Sequence, residues 1–232
     1  MEKKQYELCL EILRRFNKAG ILDYLVLIGS WTVFFYKDYF SSEPFTDYSS
    51  LKTRDMDFLI STPDKIEKVV DIPTILKDLG FVTTHRGDKG YMKLDHPDLI
   101  VEFLVPEKGK GIDKPYPLPK LGVNAQTLRF LDLLFDNTIK VRIEDFYLTL
   151  PHPANFGLHK LIVSQKRDRE DKSLRDKEIG IKILSALSEK GESDIVKSVF
   201  ISVPAGWQKR ILRGLKDTGA KDVLEVLQNN NE

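Results

Sequence analysis

Two aspartates stand two positions apart at the start of a short apolar segment. Asp55 and Asp57 belong to the run DMDFLI at 55–60, which has the composition of a β-strand. Because strand side chains alternate in direction, both carboxylates point to one side and Met56 and Phe58 to the other. Ionised carboxylates about 7 Å apart repel each other, and a divalent cation between them removes that repulsion. The pair therefore predicts a metal site; the alternative is a turn-capping Asp-x-Asp with solvated side chains.

Glu102 is the single charged residue in the apolar run LIVEFLV at 99–105. A strand that is apolar on both faces is buried on both faces, and an isolated buried carboxylate is costly unless it finds a cation or another partner. A role as third metal ligand would meet that need. The alternatives are an edge strand on which Glu102 faces water, or an ion pair with Arg54 or Lys93.

Gly29 and Ser30 separate a buried strand, YLVLI at 24–28, from a helical pattern over 31–40. Small residues at the end of a strand allow a phosphate to approach the backbone, and the N-terminus of the following helix offers unpaired N–H groups. The dipeptide therefore predicts a phosphate contact. The alternative is a plain turn with Ser30 as the N-cap.

Taken together, these motifs resemble the nucleotidyltransferase superfamily of the DNA polymerase β type. The matching segments are LVLIGS at 25–30, DMDF at 55–58 and VEF at 101–103, within about the first 105 residues. The resemblance implies a catalytic and metal-binding set that holds Mg²⁺ or Mn²⁺, composed of Asp55, Asp57 and Glu102. It also implies that Gly29 and Ser30 bind the nucleotide.

The implied activity is transfer of a nucleoside monophosphate from a nucleoside triphosphate (NTP), such as ATP, to a hydroxyl acceptor, with release of pyrophosphate. The acceptor could be a tRNA, a protein or a small molecule, and by its position Glu102 could take the acceptor proton. The run 151–176 resembles bacterial nucleotidyltransferases related to abortive-infection toxins. On that analogy Lys160 contacts the nucleotide phosphates, and an antitoxin-like protein partner is possible.

Two features depart from the superfamily pattern. Ser30 and Asp55 are 25 positions apart, about twice the spacing in compact members, which makes the loop at 40–52 an insertion. Its Tyr48, Ser49 and Ser50 could cover the site or accept a modification. Glu102 replaces the commoner aspartate. A catalytically degenerate protein that binds a nucleotide or a partner therefore stays an alternative, as does an RNA-binding role for the basic helical half.

The sequence predicts an α+β fold in which a mixed sheet with flanking helices is followed by a C-terminal helical domain. We expect a catalytic domain at 1–150 and a helical bundle at 151–232, divided at the proline pair Pro151 and Pro153. A helix is predicted at 4–18, a helix that Pro73 kinks or splits at 63–80, and an exposed loop at 107–120. Further strands are predicted at 81–84, 91–94, 99–105, 139–143 and 146–150, and later helices at 154–165, 172–188, 192–200, 207–216 and 221–228.

Composition narrows the possible functions. The 232 residues carry 36 basic and 35 acidic side chains, so no global charge drives the chain to nucleic acid or membranes. The single cysteine, Cys9, excludes an internal disulfide and favours a reducing, cytoplasmic location. The sequence has no P-loop motif and no apolar run long enough for a membrane span. The four histidines lack His-Glu-x-x-His spacing, so zinc is not expected.

Overall fold

The structure is a computed structural model that describes residues 2–40, 53–87, 90–107 and 114–228. The predicted roles of Tyr48, Ser49 and Ser50 therefore lie outside the described residues, as does most of the insertion at 40–52. The chain divides between Leu150 and Pro151 into two compact units. That the first unit is the catalytic domain stays a prediction.

The first unit contains a seven-stranded mixed sheet with the order β1-β2-β5-β4-β3, in which β7 also pairs with β5, and β6 with β7. β2 runs parallel to β5 and β5 parallel to β7, whereas the remaining pairs are antiparallel. The strands are β1 Val26–Ile28, β2 Asp55–Leu59, β3 Val82–Arg86, β4 Tyr91–Asp95, β5 Ile100–Pro106, β6 Tyr116–Leu118 and β7 Val123–Leu128. A separate hairpin follows, formed by β8 Thr138–Ile143 and β9 Phe146–Pro151.

One face of this sheet is covered by the first helix. α1, Glu2–Lys18, places Phe16 against Phe58 of β2 and Phe103 of β5, with ring centroids 5.3 and 6.4 Å apart. All three rings are buried. The shorter helices of this unit are α2 Ser30–Phe35, α3 Lys37–Phe40, α4 Ile72–Leu76 and α5 Asp132–Phe135. This packing leaves the opposite sides of β2 and β5 to carry the polar residues.

Two predicted elements of the first unit are corrected. The pattern at 63–80 is not one helix, because residues 66–71 are not helical and Pro73 lies in the first turn of α4, where a proline starts a helix. The stretch at 107–120 is not loop throughout, since Tyr116–Leu118 forms β6. β7 was not predicted, because only its alternate residues Val123 and Ala125 are buried and apolar.

The second unit is helical, as the sequence predicts. Its helices are α6 Pro153–Ser164, α7 Glu170–Glu189, α8 Ser193–Ser202, α9 Ala205–Thr218 and α10 Lys221–Gln228. α6 is buried along nearly its whole length, including the polar residues Asn155, His159, Lys160 and Ser164. The α+β class, the mixed sheet with flanking helices and the C-terminal helical region are thus confirmed. Within the described residues, no helix is long and apolar enough to cross a membrane.

Candidate active site

Asp57 and Glu102 are direct neighbours on parallel strands. In the register of β2 and β5, Asp57 pairs with Glu102, and Asp55 pairs with Ile100. Residues paired in this way point to the same side of a sheet, and so do residues two apart on one strand. Asp55, Asp57 and Glu102 therefore share one face, while Met56 and Phe58 lie in the core on the other. The sequence predicted the shared direction of the two aspartates, and the register adds Glu102.

Gly29 brings the end of β1 against Asp57. Ile28 pairs with Asp57 across the antiparallel strands, and the chain then turns at Gly29, where φ is 79° and ψ is −155°. A Cβ added to Gly29 would lie 2.6 Å from Asp57 Oδ2, so the Asp57 side chain would have to shift if residue 29 carried a side chain. Ser30 follows as the first residue of α2. Gly29 is therefore required both for its backbone conformation and for its close approach to the carboxylate.

Glu102 forms an ion pair with Lys93 of β4. Lys93 Nζ lies 2.6 Å from Glu102 Oε2, and the two side chains are only 10% and 16% exposed. This is one of the alternatives that the sequence left open for a charge in an apolar strand. Arg54, the other cation considered, pairs instead with Asp95 at 3.1 Å.

The two aspartates on this face of the sheet, Asp55 and Asp57, offer the oxygen ligands that Mg²⁺ binds. Among the described residues, no group of three or more His, Cys, Asp or Glu side chains is arranged to hold a metal ion. Carboxylate oxygens are nevertheless the hard ligands that Mg²⁺ takes, and the ion is usually bound by one or two carboxylates together with substrate phosphates. Asp55 and Asp57 have the donor chemistry for such a site, and the third carboxylate on this face, Glu102, forms the ion pair with Lys93.

Lys160, the predicted phosphate contact in the second unit, is buried and bonded to a carboxylate. Its Nζ lies 2.7 Å from Asp176 Oδ1, and Arg167 Nε lies 2.7 Å from Asp176 Oδ2. Burial raises the pKa of Asp176, but the charges and hydrogen bonds of Lys160 and Arg167 outweigh it and hold that pKa below its ordinary value. The contact of Lys160 with a nucleotide stays a prediction from the resemblance.

Sequence reasoning missed two members of this cluster. Asp176 lies in the charged stretch DKSLRDKE, and nothing in that pattern marks it as buried. His159 is buried beside Lys160, and its pKa is lowered to about 3, first by burial and then by the charge of Lys160. Its Nε2 has no hydrogen-bond partner among the described residues. Helical spacing from Asn155 could have placed His159 on a shared face, but not its burial.

A cavity of about 460 Å³ opens at the carboxyl ends of β2 and β5. Ser61, Pro106 and Tyr116 are among the described residues that line it, and none of the candidate site residues is. Its volume is suitable for a small molecule. The cavity and the carboxylates therefore occupy different parts of the sheet.

The comparison with protein-family models agrees with the motif pattern. The family model described as nucleotidyltransferase matches residues 7–199. Among curated proteins, none matches the sequence. Among solved structures, the chain is similar to an antigenic nucleotidyltransferase-like protein from Paracoccidioides brasiliensis, with 13% identity and a TM-score of 0.49, over 95% of this chain and 93% of the other.

Proposed function

Because this chain belongs to a nucleotidyltransferase family, we propose that it transfers a nucleoside monophosphate from an NTP to a hydroxyl acceptor. The acceptor oxygen bonds to the α-phosphorus, the bond from that phosphorus to the bridging oxygen breaks, and pyrophosphate leaves with the electron pair. The acceptor is a tRNA, a protein or a small molecule. The family match supports nucleotidyl transfer as the class of reaction, whereas the identity of the acceptor is our proposal.

The observation that carries the proposal is the row formed by Gly29, Asp57 and Glu102. The register sets Asp57 beside Glu102, and Gly29 lies so close to Asp57 that an added Cβ would displace the carboxylate. A backbone without a side chain, next to carboxylates on one face, suits a nucleotide whose phosphates share a cation with the protein. Gly29 and Ser30 are the proposed contacts of the β- and γ-phosphates.

Asp55 and Asp57 are the proposed magnesium ligands. When bound, Mg²⁺ supplies positive charge for the phosphate oxygens and stabilises the entering and leaving oxygens. The aspartates orient the triphosphate, and the Gly29 backbone lets it approach. Glu102 stays the candidate for accepting the proton of the acceptor hydroxyl, since it stands next to Asp57 and its ion pair with Lys93 is formed through Oε2. Its predicted role as a metal ligand is left out of the proposal, because Lys93 engages its carboxylate.

The ion pair between Lys93 and Glu102 also favours a second candidate function, nucleotide binding without transfer. A protein in which Lys93 occupies Glu102, and in which the described residues form no three-ligand cluster, could bind a nucleotide without transferring it. Such a protein would act as a regulatory module, with a partner protein as its target. Both functions require nucleotide binding, but only the transferase converts the NTP to a transferred nucleoside monophosphate and pyrophosphate.

The first experiment measures thermal unfolding with each of the four NTPs, with and without Mg²⁺. Binding at 100 times Kd adds about 2.7 kcal/mol, which raises Tm by about 5 °C or more for a chain of this size. We expect a Mg²⁺-dependent rise that Asp57→Asn abolishes. Asp23→Asn is the matched control, because that side chain is 84% exposed and lies outside the site. A rise of equal size in Asp57→Asn contradicts the proposed ligand.

The second experiment measures which phosphate of a labelled NTP is transferred to an acceptor. The preferred NTP, labelled at either the α- or the γ-phosphate, is incubated with the protein and a cell extract. Transfer of a nucleoside monophosphate places only the α-label on the acceptor, and sensitivity to ribonuclease or protease separates an RNA from a protein acceptor. Label from the γ-phosphate would indicate a kinase instead. Binding without any transferred label would favour the regulatory module.

A further inference from the structure

Lys93 belongs to the same row of the sheet as the candidate carboxylates. Leu94 and Val101 are register partners on the antiparallel strands β4 and β5, so Lys93 and Glu102 are the next residues facing each other. Glu102 in turn pairs with Asp57 on β2. One cation and two carboxylates therefore follow one another across three neighbouring strands.

The contact between Lys93 and Glu102 is well shielded. Lys93 is 9% exposed as a residue, and its Nζ lies 2.6 Å from Glu102 Oε2. Removing one partner of a buried ion pair leaves the other charge uncompensated, which is strongly unfavourable. A metal ion bound to Glu102 Oε2 would displace the ammonium group of Lys93 and leave that charge uncompensated. A metal ion bound to the other carboxylate oxygen would lie close to the same ammonium charge, so Lys93 opposes either mode of binding.

We infer that Lys93 is a positioning residue that keeps Glu102 out of the metal ligands, so that Asp55 and Asp57 bind the cation together with the NTP. Two carboxylates alone hold Mg²⁺ weakly, and the phosphate oxygens complete its coordination. The protein therefore takes up the metal–nucleotide complex rather than the free ion. This inference rests on the proposed function for the identity of the site.

Manganese is the probe, because free and bound Mn²⁺ are distinguished by electron paramagnetic resonance. The full-length protein is titrated with Mn²⁺ alone and with Mn²⁺ plus an α,β-methylene analogue of each NTP, in which the bond that the proposed transfer breaks is replaced by a bond to carbon. For the wild type, we expect at least tenfold tighter binding of Mn²⁺ with the preferred analogue than without. Asp57→Asn should lose this binding, whereas the double variant Lys93→Met with Glu102→Gln, which removes both charges of the ion pair, should keep it within twofold.

Lys93→Met provides the converse test. Removing the ammonium group makes Glu102 available, so the affinity for Mn²⁺ alone should rise about tenfold, and Lys93→Met with Glu102→Gln should cancel the gain. Lys93→Arg keeps the charge and should behave as the wild type. These readouts separate a positioning role from a purely structural one, which would lower Tm without raising the affinity for the metal.

Two results would overturn the inference. One is a loss of Mn²⁺ binding in Lys93→Met with Glu102→Gln as large as in Asp57→Asn, and the other is no gain in a folded Lys93→Met. The double variant Lys93→Met with Glu102→Gln, which leaves no uncompensated charge, decides the inference if Lys93→Met does not fold. Absence of wild-type binding with every analogue rejects the proposed function and with it the role of Asp55 and Asp57, whereas the gain in Lys93→Met still decides whether Lys93 keeps Glu102 from a metal ion.

Discussion

Gly29 is the residue at which conformation and space are most restricted in the candidate site. Its φ of 79° and ψ of −155° lie in a region that essentially only glycine adopts, at a cost of about 1–3 kcal/mol for other residues. An added Cβ would also lie 2.6 Å from Asp57 Oδ2. We expect Gly29→Ala to lower the free energy of unfolding by about 1–3 kcal/mol and to displace Asp57. Urea unfolding measures the first effect, and the Mg²⁺-dependent rise in Tm with NTP measures the second.

Gly191 offers a matched control for this prediction. Its φ is also positive, at 82°, but nothing lies within 4 Å of a Cβ added there. Gly191→Ala should therefore reduce stability through strain and leave the response to Mg²⁺ and NTP unchanged. An unchanged response in Gly29→Ala as well would show that the close approach to Asp57 has no part in binding.

At the residue scale, the sequence predicted to which side of a strand each side chain points. It did not predict which residues those side chains contact. The alternation of a strand places Asp55 and Asp57 on one side without knowledge of the fold. That Glu102 lies next to Asp57, and that Lys93 rather than Arg54 pairs with Glu102, depends on which strands are neighbours and in which register. Register is set by contacts distant in sequence, so one strand's pattern does not reveal it.

The close packing of α6 against α7 depends on two glycines that face each other. A Cβ added to Gly180 would lie 2.8 Å from the carbonyl oxygen of Gly157, and one added to Gly157 would lie 2.9 Å from Leu184. A backbone atom cannot move aside as the end of a side chain can, so the helices would have to separate.

We therefore expect Gly180→Ala to destabilise the protein by about 1–3 kcal/mol, the usual cost of overpacking, although alanine is the better helix former. Urea unfolding measures the change. Gly206→Ala is the control, because Gly206 lies in α9 with open space around an added Cβ, and this substitution should stabilise by up to about 1 kcal/mol. Equal stabilisation by both substitutions would mean that the helices do not need their close approach.

At the element scale, the sequence predicted helices and strands where the apolar residues of the segment show clear periodicity. The helices after Pro153 have clear apolar periodicity and starts, and each appears within a few residues of its predicted bounds. β7 alternates the apolar residues Val123 and Ala125 with the polar residues Asn124 and Gln126, and it is a strand because β5 and β6 pair with it. Pairing of this kind has no signal within the segment itself.

At the scale of the whole molecule, near-neutral charge hides a concentration of charge inside the second unit. Lys160, Asp176 and Arg167 form one bonded cluster, and His159 is buried beside Lys160. The excess of three basic residues in 151–232 gave no indication that some of them are internal. Composition reports totals, whereas burial depends on how helices pack.

This buried histidine should make the stability of the molecule depend on pH. The pKa of His159 is lowered to about 3 in the folded chain, by burial first and then by Lys160, whereas an unfolded histidine has a pKa of about 6.5. Above pH 6.5 both states are neutral and the contribution is complete. As pH falls from 6.5 towards 3, the unfolded chain binds a proton that the folded chain does not, so the free energy of unfolding decreases. Between pH 7 and pH 5 this amounts to about 2 kcal/mol.

Urea unfolding of the wild type and His159→Gln at pH 7 and pH 5 tests this expectation. The variant should lose about 2 kcal/mol less than the wild type over this interval, because it lacks the group that titrates. His152, whose pKa is also lowered, first by burial, is present in both proteins, so its contribution cancels. The lowered pKa of Asp176 affects stability only nearer and below pH 4, outside the interval. Parallel losses in the two proteins would show that His159 takes up a proton in the folded chain as readily as in the unfolded one, and that its surroundings admit water.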